Sequence, residues 1–186
     1  MSPLTTERLL LRELTCADAS DCNAYERDPE VVRYTSHGVR TLDESLAYLR
    51  RNLASLHESP RRTFDFAVVL TGEGRLVGRA GIHVTQPDLR EATIWYILDR
   101  SRWGKGIVPE AARALLAFGF GELGLHRIYA DLDPRNHASA RVAEKIGMRR
   151  EAHFVANAWI KGEWMDTLIY AILDHEWPPR QSGVAP

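Results

Sequence analysis

Nine consecutive residues, Arg102-Trp103-Gly104-Lys105-Gly106-Ile107-Val108-Pro109-Glu110, combine the types and spacing that can hold a phosphate. Gly104 and Gly106 allow a sharp backbone turn and a close approach to a ligand, with the cation Lys105 between them. Pro109 suits the first position of a helix, where its missing N–H is not needed and its φ is already helical. Amide N–H groups from Gly104 to Val108 and the positive end of that helix would then converge on an anion. The spacing sets two familiar phosphate sites aside. A P-loop needs four residues between its first glycine and a Gly-Lys-Ser/Thr, whereas Lys105 is followed by Gly106 and Ile107, with no hydroxyl for magnesium. The dinucleotide fingerprint needs a third small residue where Pro109 stands, in a βαβ unit that does not open this chain. A diphosphate cradle of another kind is left, although the same glycines also suit an ordinary tight turn.

Other stretches agree with a ligand site. Trp103-Gly104-Lys105-Gly106-Ile107-Val108 resembles the acetyl-coenzyme A pyrophosphate motif of the GNAT N-acetyltransferases, usually Gln/Arg-x-x-Gly-x-Gly/Ala. Asn136-His137-Ala138-Ser139, followed by Glu144-Lys145-Ile146-Gly147-Met148, is similar to their second signature. Thr6-Glu7-Arg8-Leu9-Leu10-Leu11-Arg12 and Gly162-Glu163-Trp164-Met165-Asp166 resemble the Rim-type branch, which includes ribosomal-protein N-terminal acetyltransferases. The four matches occur in order and cover roughly residues 6 to 177.

The resemblance implies acetyl-coenzyme A as cosubstrate, no metal, and an amine as acceptor. It implies that backbone groups of Ile97 and Leu98 pair with the pantetheine amides, and that Gly104, Lys105, Gly106, Ile107 and Val108 hold the diphosphate. Arg102, Trp103, Asn136, Ser139 and Lys145 complete the expected coenzyme contacts. Two positions depart from the family pattern within the cradle, Trp103 for Gln/Arg and Val108 for the final Gly/Ala, and neither removes a backbone amide. The tyrosine that many GNAT enzymes carry seven residues after the Asn is Ala143 here, which leaves Ser139 as the nearest hydroxyl for the departing thiolate. The carboxylate of related enzymes, about nineteen residues beyond that serine, falls on Ala158. Glu91, just before the strand that leads to the cradle, is then the acid placed to feed a water chain, with His83 and His153 as alternatives. No nucleophile, base and acid occur in an order that supports covalent catalysis.

These residues need elements to position them. Ala92 to Leu98, rich in β-branched and aromatic residues, reads as a buried strand ahead of the cradle, and Pro109 to Leu123 as a helix stopped by Gly124. Arg127 to Leu132 reads as a strand, Asn136 to Ile146 as a helix with Asn136 at its N-cap, and the remainder as a hairpin. Earlier, Leu9 to Leu14 reads as a strand, Thr15-Cys16-Ala17-Asp18 as a capping box, and Asp28-Pro29 as a further helix start. Thr41-Leu42-Asp43-Glu44 opens a helix whose Leu42, Leu46, Leu49, Leu53 and Leu56 form a core-facing stripe, ended by Pro60. Phe64 to Leu70 and Leu76 to Val84 are strands joined by Thr71-Gly72-Glu73-Gly74. This order predicts an α/β fold with a mixed, mostly antiparallel split sheet flanked by helices, as in the GNAT acyl-CoA N-acyltransferase fold.

Length and charge fit that reading. A chain of 186 residues, 45% hydrophobic, can bury one core, so one domain over 6–177 and a frayed tail over 178–186 are expected. With 24 basic against 25 acidic residues there is no nucleic-acid or anionic-membrane footprint. Cys16 and Cys22 make neither a disulfide framework nor a zinc site, and no signal or membrane segment is recognisable, so a cytoplasmic location is expected. The acceptor is expected to be a protein or peptide N-terminal α-amine. Small amines (antibiotics, amino acids, polyamines), a non-catalytic coenzyme A binding regulator, and a homodimeric structural module are the alternatives. The segment from Asp28 to Arg40 and the hairpin around Trp159 to Trp164 are expected to govern acceptor choice.

Overall fold

The computed structural model describes residues 1–177; the expected tail at 178–186 lies outside them. One sheet contains β1 (Leu4–Thr5), β2 (Leu9–Glu13), β3 (Thr63–Leu70), β4 (Arg75–Gln86), β5 (Glu91–Leu98), β6 (Arg127–Leu132), β7 (Arg149–Ile160) and β8 (Glu163–Leu173). The strands lie in the order β1-β2-β3-β4-β5-β6-β8-β7. All neighbours are antiparallel except β5 and β6, which are joined by the helix α3 (Ile107–Gly121), the long crossover that a parallel pair requires. The expected mixed, mostly antiparallel split sheet is therefore present.

Helices cover both faces. Alternation along β3 sends Phe64, Phe66 and Val68 to one side, where they pack with Ala111, Leu115 and Phe118 of α3 and with Ala143 of α4 (His137–Lys145). It sends Ala67 and Val69 to the other, against Ala19, Cys22 and Tyr25 of α1 (Ala19–Glu26) and Leu49 of α2 (Leu42–Ala54). Two cores, one on each face, hold the sheet as a rigid middle layer.

The local starts and stops follow their sequence signals with four differences. Thr41 and Glu44 exchange the two hydrogen bonds of a capping box, and the Asn136 Oδ1 accepts from the Ser139 N–H as an N-cap. The helix expected from Asp28-Pro29 does not form: Val31 and Val32 N–H groups donate to the Asp28 carbonyl, and the chain then leaves the turn to bury both valines. Pro109 is the third residue of α3 rather than the first, which is tolerated because none of the first N–H groups has an intrahelical acceptor. The leucine stripe of α2 is only partly core, since Leu49 is buried while Leu42, at the exposed first turn, is 51% accessible. That helix also ends at Ala54, its last leucine lying in a following 3-10 turn.

Candidate active site

The site begins where two strands part. β5 and β6 pair at Glu91↔Arg127, Ala92↔Ile128 and Thr93↔Tyr129, and no farther, so the rest of β5 forms one arm of a fork. Which of its backbone groups line the opening follows from the antiparallel pairing with β4. The Asp99 N–H donates to the Val77 carbonyl, and residues two apart share a direction, so Ile97 turns its N–H and carbonyl to Arg79 on β4. Leu98 and Tyr96 turn theirs to the fork. Of the expected pair Ile97 and Leu98, only Leu98 presents its backbone there, and Tyr96 takes the place given to Ile97.

The cradle closes the outer end of that arm. Gly104 and Gly106 adopt φ of 74° and 75°, and Gly106 is the left-handed N-cap of α3. No acceptor among the described residues engages the N–H groups of Gly104, Lys105, Gly106, Ile107 and Val108; the first helical bond runs from the Glu110 N–H to the Gly106 carbonyl. A Cβ added at Gly104 would meet nothing within 4 Å, and at Gly106 only the Arg8 guanidinium at 3.5 Å. Five consecutive free donors beside open space at a helix N-terminus fit a diphosphate. Trp103, 46% accessible, folds its indole back so that Nε1 donates to the Leu98 carbonyl at 2.9 Å and pins the turn.

The charged residues of the region do not all serve it as expected. Arg102 makes two 2.7 Å bonds to Glu73 in the β3–β4 turn and is held there. Arg8 stands at the cradle instead: its guanidinium donates to the Lys105 carbonyl at 3.1 Å and to Glu110 at 2.7 Å. Thr6 Oγ1 and the Arg8 N–H also donate to Glu110. Burial works against Glu110 ionising, but these donors outweigh it and keep its carboxyl below the usual range. Thr6, Arg8 and Glu110 thus tie the chain's first strands to the first turn of α3, a link visible in sequence only as the Thr-x-Arg of the opening motif.

Across the fork stands the N-terminal turn of α4. Ser139 is partly buried, its carbonyl 3.3 Å from Tyr96 Oη, while Lys145 sits exposed at the far end of the same helix, its carbonyl taken by Arg113. The acid-base candidates lie elsewhere. Glu91 is on the paired side of the fork, its carboxylate 2.6 Å from the Arg127 guanidinium, so it does not reach the opening. His83 pairs with Thr93 on the same closed side and bonds Thr63, and His153 bonds Asp166 on the outer hairpin.

The other face of the sheet carries charges that the sequence reading passed over. Arg79, 2% accessible, donates to Glu26 and, at 3.1 Å, to Asp65, while Tyr48 and Asn52 donate to Asp65 at 2.7 and 2.9 Å. Arg40 adds a second cation on Glu26 at 3.0 Å. Burial pushes the Asp65 carboxyl up to about 6 against the pull of Arg79. Above this cluster Lys161, in the β7–β8 turn, donates from Nζ to the Val32 carbonyl at 2.6 Å and the Arg33 carbonyl at 3.2 Å. Trp159 and Trp164 stack edge to face beside it, ring centroids 5.3 Å apart. The segment after Asp28 and the late hairpin therefore meet over this face.

A family model described as an acetyltransferase (GNAT) domain matches residues 8–149. The chain is 36% identical over 180 residues to YnaD, an uncharacterized N-acetyltransferase of Bacillus subtilis strain 168, covering 94% of this chain and 98% of that one. A solved GNAT-family acetyltransferase from Bacillus anthracis superposes with a TM-score of 0.83 at 34% identity, over 93% of this chain and 99% of that one. The ribosomal protein uS5 alanine N-acetyltransferase of Escherichia coli strain K12 is 25% identical over 182 residues, 95% of this chain and 93% of that one. No helix among the described residues is long and apolar enough to cross a membrane.

Proposed function

The chain belongs to the GNAT acetyltransferase family, and from that membership we propose that it transfers an acetyl group from acetyl-coenzyme A directly to a primary amine, foremost a protein or peptide N-terminal α-amine. The observation that carries the coenzyme half is the run of five unengaged amides from Gly104 to Val108, beside a strand arm that ends at the fork. Those amides, with Arg8 and Lys105, would hold the diphosphate. The fork-facing backbone of Tyr96 and Leu98 would guide the pantetheine arm as a neighbouring strand would. Asn136 would add its side-chain amide, whose oxygen is already spent on capping.

In the transfer, the acceptor nitrogen forms its bond to the acetyl carbon while the carbon–sulfur bond breaks. Negative charge grows first on the carbonyl oxygen and then on sulfur. The Leu98 N–H, turned to the fork, is placed to stabilise the first, and the α4 N-terminal turn around Ser139 the second. Holding both reactants in one cleft supplies a further part of the acceleration.

The acceptor must be neutral when it attacks. Glu91, His83 and His153 are all committed away from the opening, which favours an amine that loses its proton without a dedicated base. An α-amine has a reference pKa of about 8 and a lysine amine about 10.4, so at pH 7 the α-amine has a neutral fraction some two orders of magnitude larger. The kinship to the uS5 alanine N-acetyltransferase points the same way. The test is thiol release from acetyl-coenzyme A against peptides with free α-amines, lysine-bearing peptides with blocked α-amines, polyamines and amino acids. Preference for the free α-amine is expected; preference for a polyamine or amino acid would replace the acceptor class, and tight coenzyme binding with no release from any amine would replace catalysis with binding.

A further inference from the structure

The family's usual proton donor is missing at Ala143, and the fork holds two hydroxyl-bearing side chains near its opening: Ser139 on α4 and Tyr96 on β5. They stand on opposite arms. Tyr96 points to the α3 and α4 side of the sheet, its ring packed against the larger core, and Oη reaches across to the Ser139 carbonyl. This is where the β5 arm and the α4 arm touch. A ligand threaded from the cradle into the fork would pass this contact and would offer Tyr96 a new acceptor in place of the carbonyl.

The two hydroxyls differ as acids. A thiol leaving group has a reference pKa of about 8.5 and a phenol about 10, while an alkanol hydroxyl is a far weaker acid, close to water itself. Proton transfer to a departing group is most effective from an acid close to it in strength, which favours the phenol over the serine by several orders of magnitude in acidity. Burial pushes the Tyr96 hydroxyl up to about 12, with the Ser139 side chain pulling the other way and no charged side chain contributing, so it keeps its proton at neutral pH. Ser139 then acts through its main chain: its carbonyl aims the phenol before the cosubstrate enters.

We propose that Tyr96 protonates the sulfur that leaves in the transfer, standing in from β5 for the donor absent at Ala143. This assignment rests on the acetyl-coenzyme A reading above. As the amine nitrogen bonds to the acetyl carbon, the carbon–sulfur electron pair stays on sulfur and the Tyr96 O–H proton passes to it. The phenolate regains, through solvent, the proton that the amine nitrogen gives up. No oxidant or further reactant is needed.

The test reads the sulfur without needing the acceptor. Coenzyme A is bound to the wild type, Tyr96→Phe and Ser139→Ala, and ionisation of its thiol is followed by thiolate absorbance as pH rises. A donor on sulfur stabilises the thiolate, so the bound thiol should ionise about one to two pH units lower in the wild type than in Tyr96→Phe. Ser139→Ala should shift it less than Tyr96→Phe does. Desulfo-coenzyme A should bind all three proteins within about threefold, which reports an intact cradle and fold. With an accepted amine, Tyr96→Phe should lower kcat by about 10²- to 10⁴-fold and leave KM for acetyl-coenzyme A nearly unchanged. An unshifted thiol in Tyr96→Phe, or the larger shift in Ser139→Ala, would overturn the assignment while leaving the coenzyme reading intact. Failure of the wild type to bind coenzyme A or its desulfo analogue would overturn both.

Discussion

The two faces of the sheet hold polar groups by opposite means. On the α3 and α4 face the cradle is made of backbone: five amides from consecutive residues, two left-handed glycines, and ion pairs that lie near the surface. On the α1 and α2 face the polar groups are side chains from α1, β3 and β4, with Arg79, Glu26 and Asp65 each 2% accessible or less. The first arrangement leaves donors free for a ligand. The second uses its donors internally, and only the Asp65 Oδ1 and one Arg61 nitrogen are buried without a partner among the described residues. A backbone cradle suits a cosubstrate shared by a whole family, since changing a side chain does not erase it. A side-chain cluster has no such protection, since a single substitution removes one of its partners.

Substitutions on each face should act in different ways. Arg79→Met should have the largest effect, because it removes the buried cation that two buried carboxylates share; a loss of about 3–5 kcal/mol is expected in denaturant unfolding. A loss under about 1 kcal/mol would mean that the face is less sealed than its accessibility indicates. Gly106→Val, by contrast, should act on the ligand. A β-branched residue resists φ of 75°, and losing one or two amides aimed at an anion should weaken coenzyme A binding about tenfold to a hundredfold by calorimetry.

Glu110→Gln should cost about 1 kcal/mol and bring a change in pH dependence. The folded-state carboxyl lies below its unfolded value near 4.5, so its stabilisation is complete above that value and is lost as pH falls through the lower folded one. The variant should flatten this acid limb in thermal unfolding. Asp65, on the opposite face, has the reverse sign: its contribution is present below its unfolded value of 3.8 and is lost as pH rises through about 6. The smallest effect is expected for Arg102→Ala, with denaturant unfolding unchanged and coenzyme affinity within about twofold, because its exposed partner is Glu73. A tenfold affinity loss would show that Arg102 leaves Glu73 for the ligand.

How far each face was legible in the sequence follows the same division. The cradle, the Thr41 and Asn136 caps and the Thr71–Gly74 turn depend on residues a few positions apart, and spacing alone located them. Glu91 was misplaced because adjacency to the fork strand does not say which end of that strand is paired. Ile97 was misplaced for a related reason: its backbone direction is set by the register with β4, which spacing along one strand cannot supply. The Arg79 cluster joins residues more than fifty positions apart, and its only local trace is a lone charge within each of two apolar strands, Phe64-Asp65-Phe66 and Gly78-Arg79-Ala80. Tyr96 was hidden by its surroundings, since an aromatic in a buried strand reads first as packing.

The most direct test of acetyl transfer in the fork is thiol release from acetyl-coenzyme A with one alanine-starting peptide, offered with its α-amine free and with it blocked, alongside mass analysis of the peptide. Release only with the free amine, matched by one acetyl group gained at that nitrogen, is expected. Release at equal rates with both peptides, or an unmodified peptide after coenzyme A has bound, would contradict it.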